Sequence, residues 1–220
     1  MTTRTRKWSI VFERECETVY QESCHTANPC DGAYMGVLDL QNYTIKPVPI
    51  NLNHFQNLPL FIIILESPHI DEFNTNGIAV GPAQGSTGRN IRSLLIQLLQ
   101  SQTAHLQRIY RLMLVEAIPY QCSNNTSPID RTNTNRLFKK MWRSYGGKID
   151  FENRINQYRP DVILNACTGG IHSINKGFTL KGLVQKVLNT YKQHNPSVQL
   201  LYSNHPAIEY QFRKGVFQVI

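Results

Sequence analysis

The sequence contains no apolar run long enough to cross a membrane. Its longest continuous apolar run is Leu60–Leu65, whereas a spanning helix needs about 18 or more such residues. Basic residues open the chain, but no apolar segment follows them as a secretory signal would require. We therefore expect a cytoplasmic protein with no membrane partner.

The cysteines form no recognisable disulfide or metal pattern. There are five of them, and an odd number without an export signal indicates free thiols in a reducing compartment. The spacing of Cys16, Cys24 and Cys30 matches no common zinc pattern, although a ligand set that also includes Cys122 and Cys167 is conceivable. We expect buried thiols, no metal and no cofactor.

Charged residues are few, and the basic ones outnumber the acidic ones. Asp, Glu, Lys and Arg make up 17% of the 220 residues against 41% hydrophobic residues, a balance that argues against disorder. The 23 Lys and Arg against 15 Asp and Glu give a net charge of +8. This excess favours a polyanionic partner such as nucleic acid, and it is equally typical of an ordinary solvated surface.

Apolar periodicity predicts an α/β fold from about residue 58 onward. Short apolar runs typical of buried strands alternate with stretches that are apolar at helical spacing. The predicted strands are Leu60–Leu65, Leu112–Ile118, Asp161–Ala166 and Val198–Tyr202, and the predicted helices are Arg89–Gln100, Asn133–Tyr145, Phe151–Gln157 and Thr179–Gln193. We expect right-handed crossovers, and hence a mostly parallel four-stranded central sheet in a three-layer α/β/α arrangement.

Residues 1–57 lack this regularity. Their prolines and scattered polar residues predict an irregular N-terminal extension that packs on a core domain formed by residues 58–220. Within the extension, Trp8–Phe12 and Tyr34–Leu40 have the composition of short strands.

Polar residues follow each predicted strand. Glu66 and His69 come after the first strand, Glu116 lies near the end of the second, Asn165 near the end of the third, and His205 after the fourth. Open parallel sheets bind ligands at the carboxyl ends of their strands, so we expect these side chains to share one cleft. A glycine-rich loop, residues 81–88, precedes the first predicted helix of the core domain.

In this order the motifs resemble those of the uracil-DNA glycosylase superfamily over residues 58–210. Leu65-Glu66-Ser67-Pro68-His69 is similar to that family's Gly-Glu-Ala-Pro-Gly, and Asn204-His205-Pro206-Ala207 stands where the family has His-Pro-Ser. Residues 81–95 resemble the glycine-rich segment and leucine-rich helix of the iron–sulfur branch. Two features depart from the family: Ala207 replaces a serine that contacts backbone phosphate, and the cysteines do not fit the iron–sulfur spacing, so we assign no cluster.

The resemblance implies two catalytic residues. Cleavage of an N-glycosidic bond passes through a cationic sugar, and Glu66 would activate the attacking water or stabilise that cation. His205 would donate a hydrogen bond to the departing base. If the longer family motif, Gly-Gln-Asp-Pro-Tyr-His, is the better alignment, Ser67 falls at the water-activating position, where a serine cannot replace a carboxylate. A carboxylate that caps a loop and a structural histidine are the alternative interpretations.

Base recognition would centre on Glu116, which falls where uracil enzymes have an asparagine. A carboxylate accepts from the amino group of cytosine but opposes the carbonyl of uracil. Glu116 therefore favours a cytosine-type base, and if burial protonates it, it can also donate. Phe73 or Tyr120 would stack on the base, and His69 and Asn165 complete the predicted base-binding set.

Three groups of residues are predicted DNA contacts. The start of the glycine-loop helix suits a phosphate and equally suits a helix cap; its residues are Gly85, Ser86, Thr87, Gly88 and Arg89. Ile208 and Tyr210 would wedge into the base stack. A basic segment would contact the backbone if its members share a face: Arg131, Arg136, Lys139, Lys140 and Arg143.

We therefore expect a monomeric, monofunctional DNA glycosylase that leaves an abasic site, since no lysine stands at a matching catalytic position for a lyase step. The expected base is a modified cytosine, such as the glucosylated hydroxymethylcytosine of phage DNA, in a defence role. Alternatives are a repair glycosylase for uracil or damaged bases, a non-catalytic nucleic-acid or nucleotide-binding module of the same fold, and a hydrolase of free nucleotides or nucleosides.

Overall fold

A computed structural model describes residues 3–21, 28–30, 32–48, 52–100, 106, 109–123, 131–169, 179–207 and 209–213. The helices are α1 (Thr3–Tyr20), α2 (Leu52–Gln56), α3 (Ser86–Gln100), α4 (Arg131–Ser144), α5 (Gly147–Tyr158), α6 (Leu180–His194) and α7 (Glu209–Arg213). The strands are β1 (Ala33–Asp39), β2 (Thr44–Lys46), β3 (Leu60–Leu65), β4 (Ile109–Glu116), β5 (Val162–Asn165) and β6 (Gln199–Tyr202), and a short 3₁₀ helix covers Ile70–Glu72.

The six strands form one mixed sheet in the order β2-β1-β4-β3-β5-β6. The inner and C-terminal strands β4, β3, β5 and β6 are mutually parallel, which confirms the α/β class. The predicted four-stranded sheet is too small, because the hairpin β1–β2 pairs antiparallel with β4 and extends that edge. The short strand predicted over residues 34–40 is confirmed as β1, so part of the N-terminal extension belongs to the sheet itself.

The strand predicted at Trp8–Phe12 is wrong, because these residues lie within the helix α1. Phe12, Cys16 and Val19 are buried on one side of that helix, at the three- and four-residue spacing of a helical stripe. A five-residue window is too short to separate this spacing from strand alternation. Helix α1 packs against α4, so the extension is more regular than its composition predicts.

Helices cover both faces of the sheet and create two separate cores. Alternate residues of β3 point to opposite faces: Leu60, Ile62 and Ile64 contribute to the core that also includes residues of α1, α4, α5 and α6. The core on the other face includes the remaining residues of β3 together with residues of α3 and α7. Burial on both faces explains why β3 is a continuous apolar run.

The path of the chain places a crevice at the carboxyl end of β3. The helix after β3 packs on one face of the sheet, whereas those after its neighbours β4 and β5 pack on the other. Connections that leave adjacent strands toward opposite faces open a gap between them, the usual ligand position in such sheets.

Candidate active site

A cavity of about 190 Å³ occupies this crevice. It is lined by the segments that follow β3, β4, β5 and β6 and by the start of α3. The lining residues are Leu65, Glu66, Ser67, Pro68, His69, Asp71, Glu72, Gly85, Ser86, Thr87, Glu116, Ser123, Thr134, Thr168, His205 and Ala207. The structure thus brings together the predicted Glu66, Glu116, His69 and His205.

Three glutamates are buried at this cavity. Glu66 and Glu72 are each 5% exposed and Glu116 only 1%. The parallel pairing of β3 and β4 continues past the strand ends, where the Ile118 amide donates to the carbonyl of Glu66 over 3.1 Å. This ladder places Glu116 opposite Leu65, so that Glu66 lies one residue farther along the neighbouring strand. Glu72 approaches from the 3₁₀ helix and is a site residue that the sequence interpretation missed.

Burial raises the pKa of two of these carboxyl groups, those of Glu116 and Glu72. Burial raises the pKa of Glu116 well above its usual value, the charges of Glu72 and Glu66 add to the rise, and Arg154 opposes it. Burial also raises the pKa of Glu72 to about 7. Hydrogen bonds from the backbones of Ala83 and His69 lower this pKa, but the effect of burial is larger. Burial and the neighbouring carboxyl groups therefore favour the protonated form of Glu116, and burial favours that of Glu72.

Each of these carboxyl groups has one oxygen without a hydrogen-bond partner among the described residues. Oε2 of Glu72 and Oε2 of Glu116 are buried and have no hydrogen-bond partner among the described residues. A buried polar atom without a partner is costly, by roughly 1–3 kcal/mol. Because both residues line the cavity, a bound molecule with matching donors would remove that cost.

His205 is held in one tautomer by its own turn. Its Nδ1 accepts the backbone N–H of Ala207 over 3.1 Å, so in the neutral ring the proton lies on Nε2. The turn is tied to α3, where Nδ2 of Asn90 donates to the carbonyl of Pro206 over 2.6 Å. Nε2 is therefore the donor of the neutral ring, in a residue that lines the cavity.

An arginine positions the end of β4. Arg154 of α5 donates from Nη1 to the carbonyl of Glu116 over 2.9 Å and from Nη2 to that of Ala117 over 3.0 Å. Its Nε also donates to Asp150 over 2.9 Å. No sequence signal identified Arg154, because its partners are backbone atoms distant along the chain.

A lysine lies buried beside the cavity without lining it. Lys181 is fully buried, and its ammonium donates to the carbonyl of Ser203. Burial lowers its pKa to about 8. Its neighbour Cys167 is also buried, with Sγ 3.3 Å from the carbonyl of Leu65, and burial raises the pKa of that thiol. The sequence interpretation did not single out Lys181. The available signal was a charged residue within the apolar stripe of α6.

The start of α3 meets the cavity through Gly85, Ser86 and Thr87. Gly88 has a packing role instead, because a Cβ there would lie 1.9 Å from the carbonyl oxygen of Ala83. Arg89 is exposed and outside the cavity lining, and its amide donates to the carbonyl of Gly85 over 3.3 Å.

Several predicted contacts lie away from the cavity. Tyr120 is in the core, with its ring stacked on Phe12 at 5.1 Å between centroids. Asn165 is fully buried and donates to Gln185 over 2.8 Å. Phe73 is buried outside the lining, Tyr210 is exposed on α7, and Ile208 lies outside the described residues. The structure therefore offers no stacking aromatic in the described lining of this cavity.

The described part of the chain contains no group of three His, Cys, Asp or Glu side chains that could hold a metal ion. Four of the five cysteines lie in that part, and all four are buried free thiols, as expected; Cys24 lies outside it. No helix formed by the described residues is both long and apolar enough to cross a membrane.

Comparisons with known proteins give no relative: no protein-family model, curated protein or solved structure matches this chain.

Proposed function

We propose that this protein is a monofunctional DNA glycosylase that hydrolyses the bond between deoxyribose and a base placed in the carboxylate-lined cavity. The observation that carries the proposal is the set of acidic groups at that cavity. Three buried glutamates and His205 converge on it, and none of its described lining residues is Lys or Arg. A carboxyl group that is ionised at this low dielectric favours a reaction in which a cation develops, as on the sugar during glycosidic cleavage.

The roles of the residues follow from their positions. Glu66 orients a water molecule and takes one of its protons as the water oxygen bonds to C1′ of the sugar. The bond between C1′ and the base nitrogen breaks, and its electron pair leaves with the base. His205 donates from Nε2 to an oxygen of the base and stabilises the charge that it gains. The products are a free base, once it has been protonated, and an abasic sugar.

The base that suits this cavity best carries an exocyclic amino group. Each carboxyl group of Glu72 and Glu116 has two oxygens but carries at most one proton, even though the pKa of both is raised. The pair therefore offers more hydrogen-bond acceptors than donors. A cytosine edge offers the two N–H groups of its amino group and acceptors at N3 and O2, whereas a uracil edge offers a single N–H between two carbonyl oxygens. A neutral Glu116 can donate to N3 while it accepts from the amino group.

This preference supports excision of cytosine or a modified cytosine, including the hypermodified cytosines of phage DNA, and hence a defence role. A neutral carboxyl group can also donate to a uracil carbonyl and accept from its N3–H. Repair of uracil or a damaged base therefore stays as the second candidate for the same site.

The first test compares the wild type with the Glu66→Gln variant. The substrates are duplexes with one uracil, cytosine, hydroxymethylcytosine or glucosylated hydroxymethylcytosine, and abasic sites are detected by alkaline cleavage. We expect Glu66→Gln to lower the rate at least 100-fold, since a positioned general base contributes about 10²–10⁴-fold, while DNA binding persists. Glu152→Gln, outside the cavity lining on α5, is the matched control.

The same comparison of the wild type with Glu66→Gln also distinguishes the rival functions. Equal rates for the wild type and Glu66→Gln would contradict the role of Glu66. DNA binding without base release from any substrate would favour a non-catalytic module. Release from free nucleosides that a competing duplex does not inhibit would favour a small-molecule hydrolase.

A further inference from the structure

Helix α4 carries a row of cations on one exposed face. The residues are spaced three or four apart, so they lie above one another along the helix, and they line an open groove on its surface: Arg136, Lys139, Lys140 and Arg143. The same groove includes Thr132, Asn135 and Ser144, whose side chains are polar and uncharged. We call this surface the α4 strip.

One of the four cations already has a partner within the protein. Lys140 forms an ion pair with Glu15 of α1, a residue that is only 3% exposed. Burial alone would raise the pKa of Glu15, but the contacts with Lys140 and Tyr145 outweigh it and the pKa is lowered. Within the described residues, no carboxylate lies within ion-pair distance of the other three: Arg136, Lys139 and Arg143.

The dimensions of the strip match a nucleic-acid backbone. From Arg136 to Arg143 the helix rises about 10 Å. One strand of a duplex has a phosphate about every 3.4 Å along the duplex axis, and because the strand winds around that axis its successive phosphates lie about twice as far apart. A strip of this length therefore reaches about two neighbouring phosphates of one strand.

The strip also begins close to the cavity along the helix. Thr134, in the first turns of α4, is buried and lines the cavity, while Thr132 and Asn135 beside it line the groove. A strand that follows the α4 strip toward the helix N-terminus therefore approaches the end of α4 at which the cavity lies. The cavity itself has no described Lys or Arg in its lining, so the cationic contacts with phosphate lie outside it.

A membrane surface fits the strip less well. Helices that lie on membranes insert large apolar side chains beside their cations. The large apolar residues of α4 are instead buried in the protein core: Leu137, Phe138, Met141 and Trp142.

We infer that the α4 strip binds the sugar–phosphate backbone of the DNA strand whose base enters the cavity. The inference rests on the proposed function, because it identifies the polymer that carries the substrate base and the direction from which it approaches. Arg136, Lys139 and Arg143 are the residues that contact phosphate.

The test measures DNA affinity against salt, without any need for base release. Fluorescence anisotropy of a labelled 20-base-pair duplex is recorded from 50 to 200 mM KCl for the wild type, R136Q/R143Q and the control K46Q/K186Q. Both variants lose two positive charges, but Lys46 on β2 and Lys186 on α6 line neither the strip nor the cavity.

We expect the slope of log K against log salt to fall by about 1.8 in R136Q/R143Q, since each phosphate contact contributes about 0.9. The affinity advantage of the wild type over this variant should then shrink about 12-fold between 50 and 200 mM. K46Q/K186Q should keep the wild-type slope.

Equal slopes in the two variants would overturn the inference, because net charge alone would then explain binding. A wild type that does not bind the duplex, or an R136Q/R143Q defect seen only with phosphatidylserine vesicles, would also overturn it. If DNA binds along the strip but no base is released, the proposed function fails and this inference stands.

Discussion

Glu72 makes the stability of the protein depend on pH in a direction opposite to that of most surface carboxylates. Its pKa rises from 4.5 to about 7 on folding, chiefly through burial. Between these two values the folded state holds more protons than the unfolded state, so stability falls as the pH rises. The loss begins near pH 4.5 and is complete above pH 7.

The size of the effect follows from the two pKa values. The full shift corresponds to about 3 kcal/mol of unfolding free energy, of which about 2 kcal/mol is lost between pH 5.5 and pH 8. Glu116 acts in the same direction, since its pKa is also raised. A Gln at position 72 keeps an oxygen for the backbone donors of Ala83 and His69 and removes the titration.

Urea unfolding at pH 5.5 and pH 8 measures this directly. We expect the wild type to lose at least about 2 kcal/mol over this range, and Glu72→Gln to lose about 2 kcal/mol less than the wild type does. Glu152→Gln, on the partly exposed face of α5, should behave as the wild type. Equal pH dependence in the wild type and Glu72→Gln would refute the argument that burial at the cavity holds the proton on Glu72.

Two further predictions concern the base and the glycine-loop helix. Glu116→Asn should shift base preference toward uracil, because an amide donates to the uracil carbonyl and accepts from its N3–H. The relative rates of excision from uracil and cytosine duplexes measure this preference. An unchanged preference would contradict the role of Glu116. Gly88→Ala should destabilise the fold by about 1–3 kcal/mol in urea unfolding, because its Cβ would overlap the Ala83 carbonyl. Gly85→Ala, whose nearest contact is the exposed Asp71 carboxylate at 3.1 Å, should cost clearly less, and equal losses would argue against the overlap.

The parallel part of the fold was predictable because its signals are local. The continuous apolar run of β3 and the apolar stripes of α3, α4 and α6 each identify an element without reference to the rest of the chain. The hairpin β1–β2 was only half predicted, since its pairing with β4 joins residues at least 70 positions apart. Helix α1 was missed because its apolar stripe is interrupted by charged residues.

The sequence could predict those cavity residues that lie at the ends of strands. Glu66, Glu116 and His205 follow buried strands, so the rule for parallel sheets places them together. Glu72 lies seven residues beyond β3, at the end of a 3₁₀ helix whose position depends on hydrogen bonds such as that from Val80 to the Glu72 carbonyl. Arg154 and Asn90 act on distant backbone carbonyls, which no side-chain pattern reveals.

The measurement that tests the central claim most directly is mass spectrometry of the small molecules released when the wild type is incubated with DNA that contains cytosine, hydroxymethylcytosine, its glucosylated form or uracil. The account predicts one free base, with an amino-bearing pyrimidine favoured, and an equal amount of abasic sites in the DNA. It also predicts that Glu66→Gln releases at most about one hundredth as much. Intact DNA with no free base, under conditions in which the protein binds it, would contradict the account.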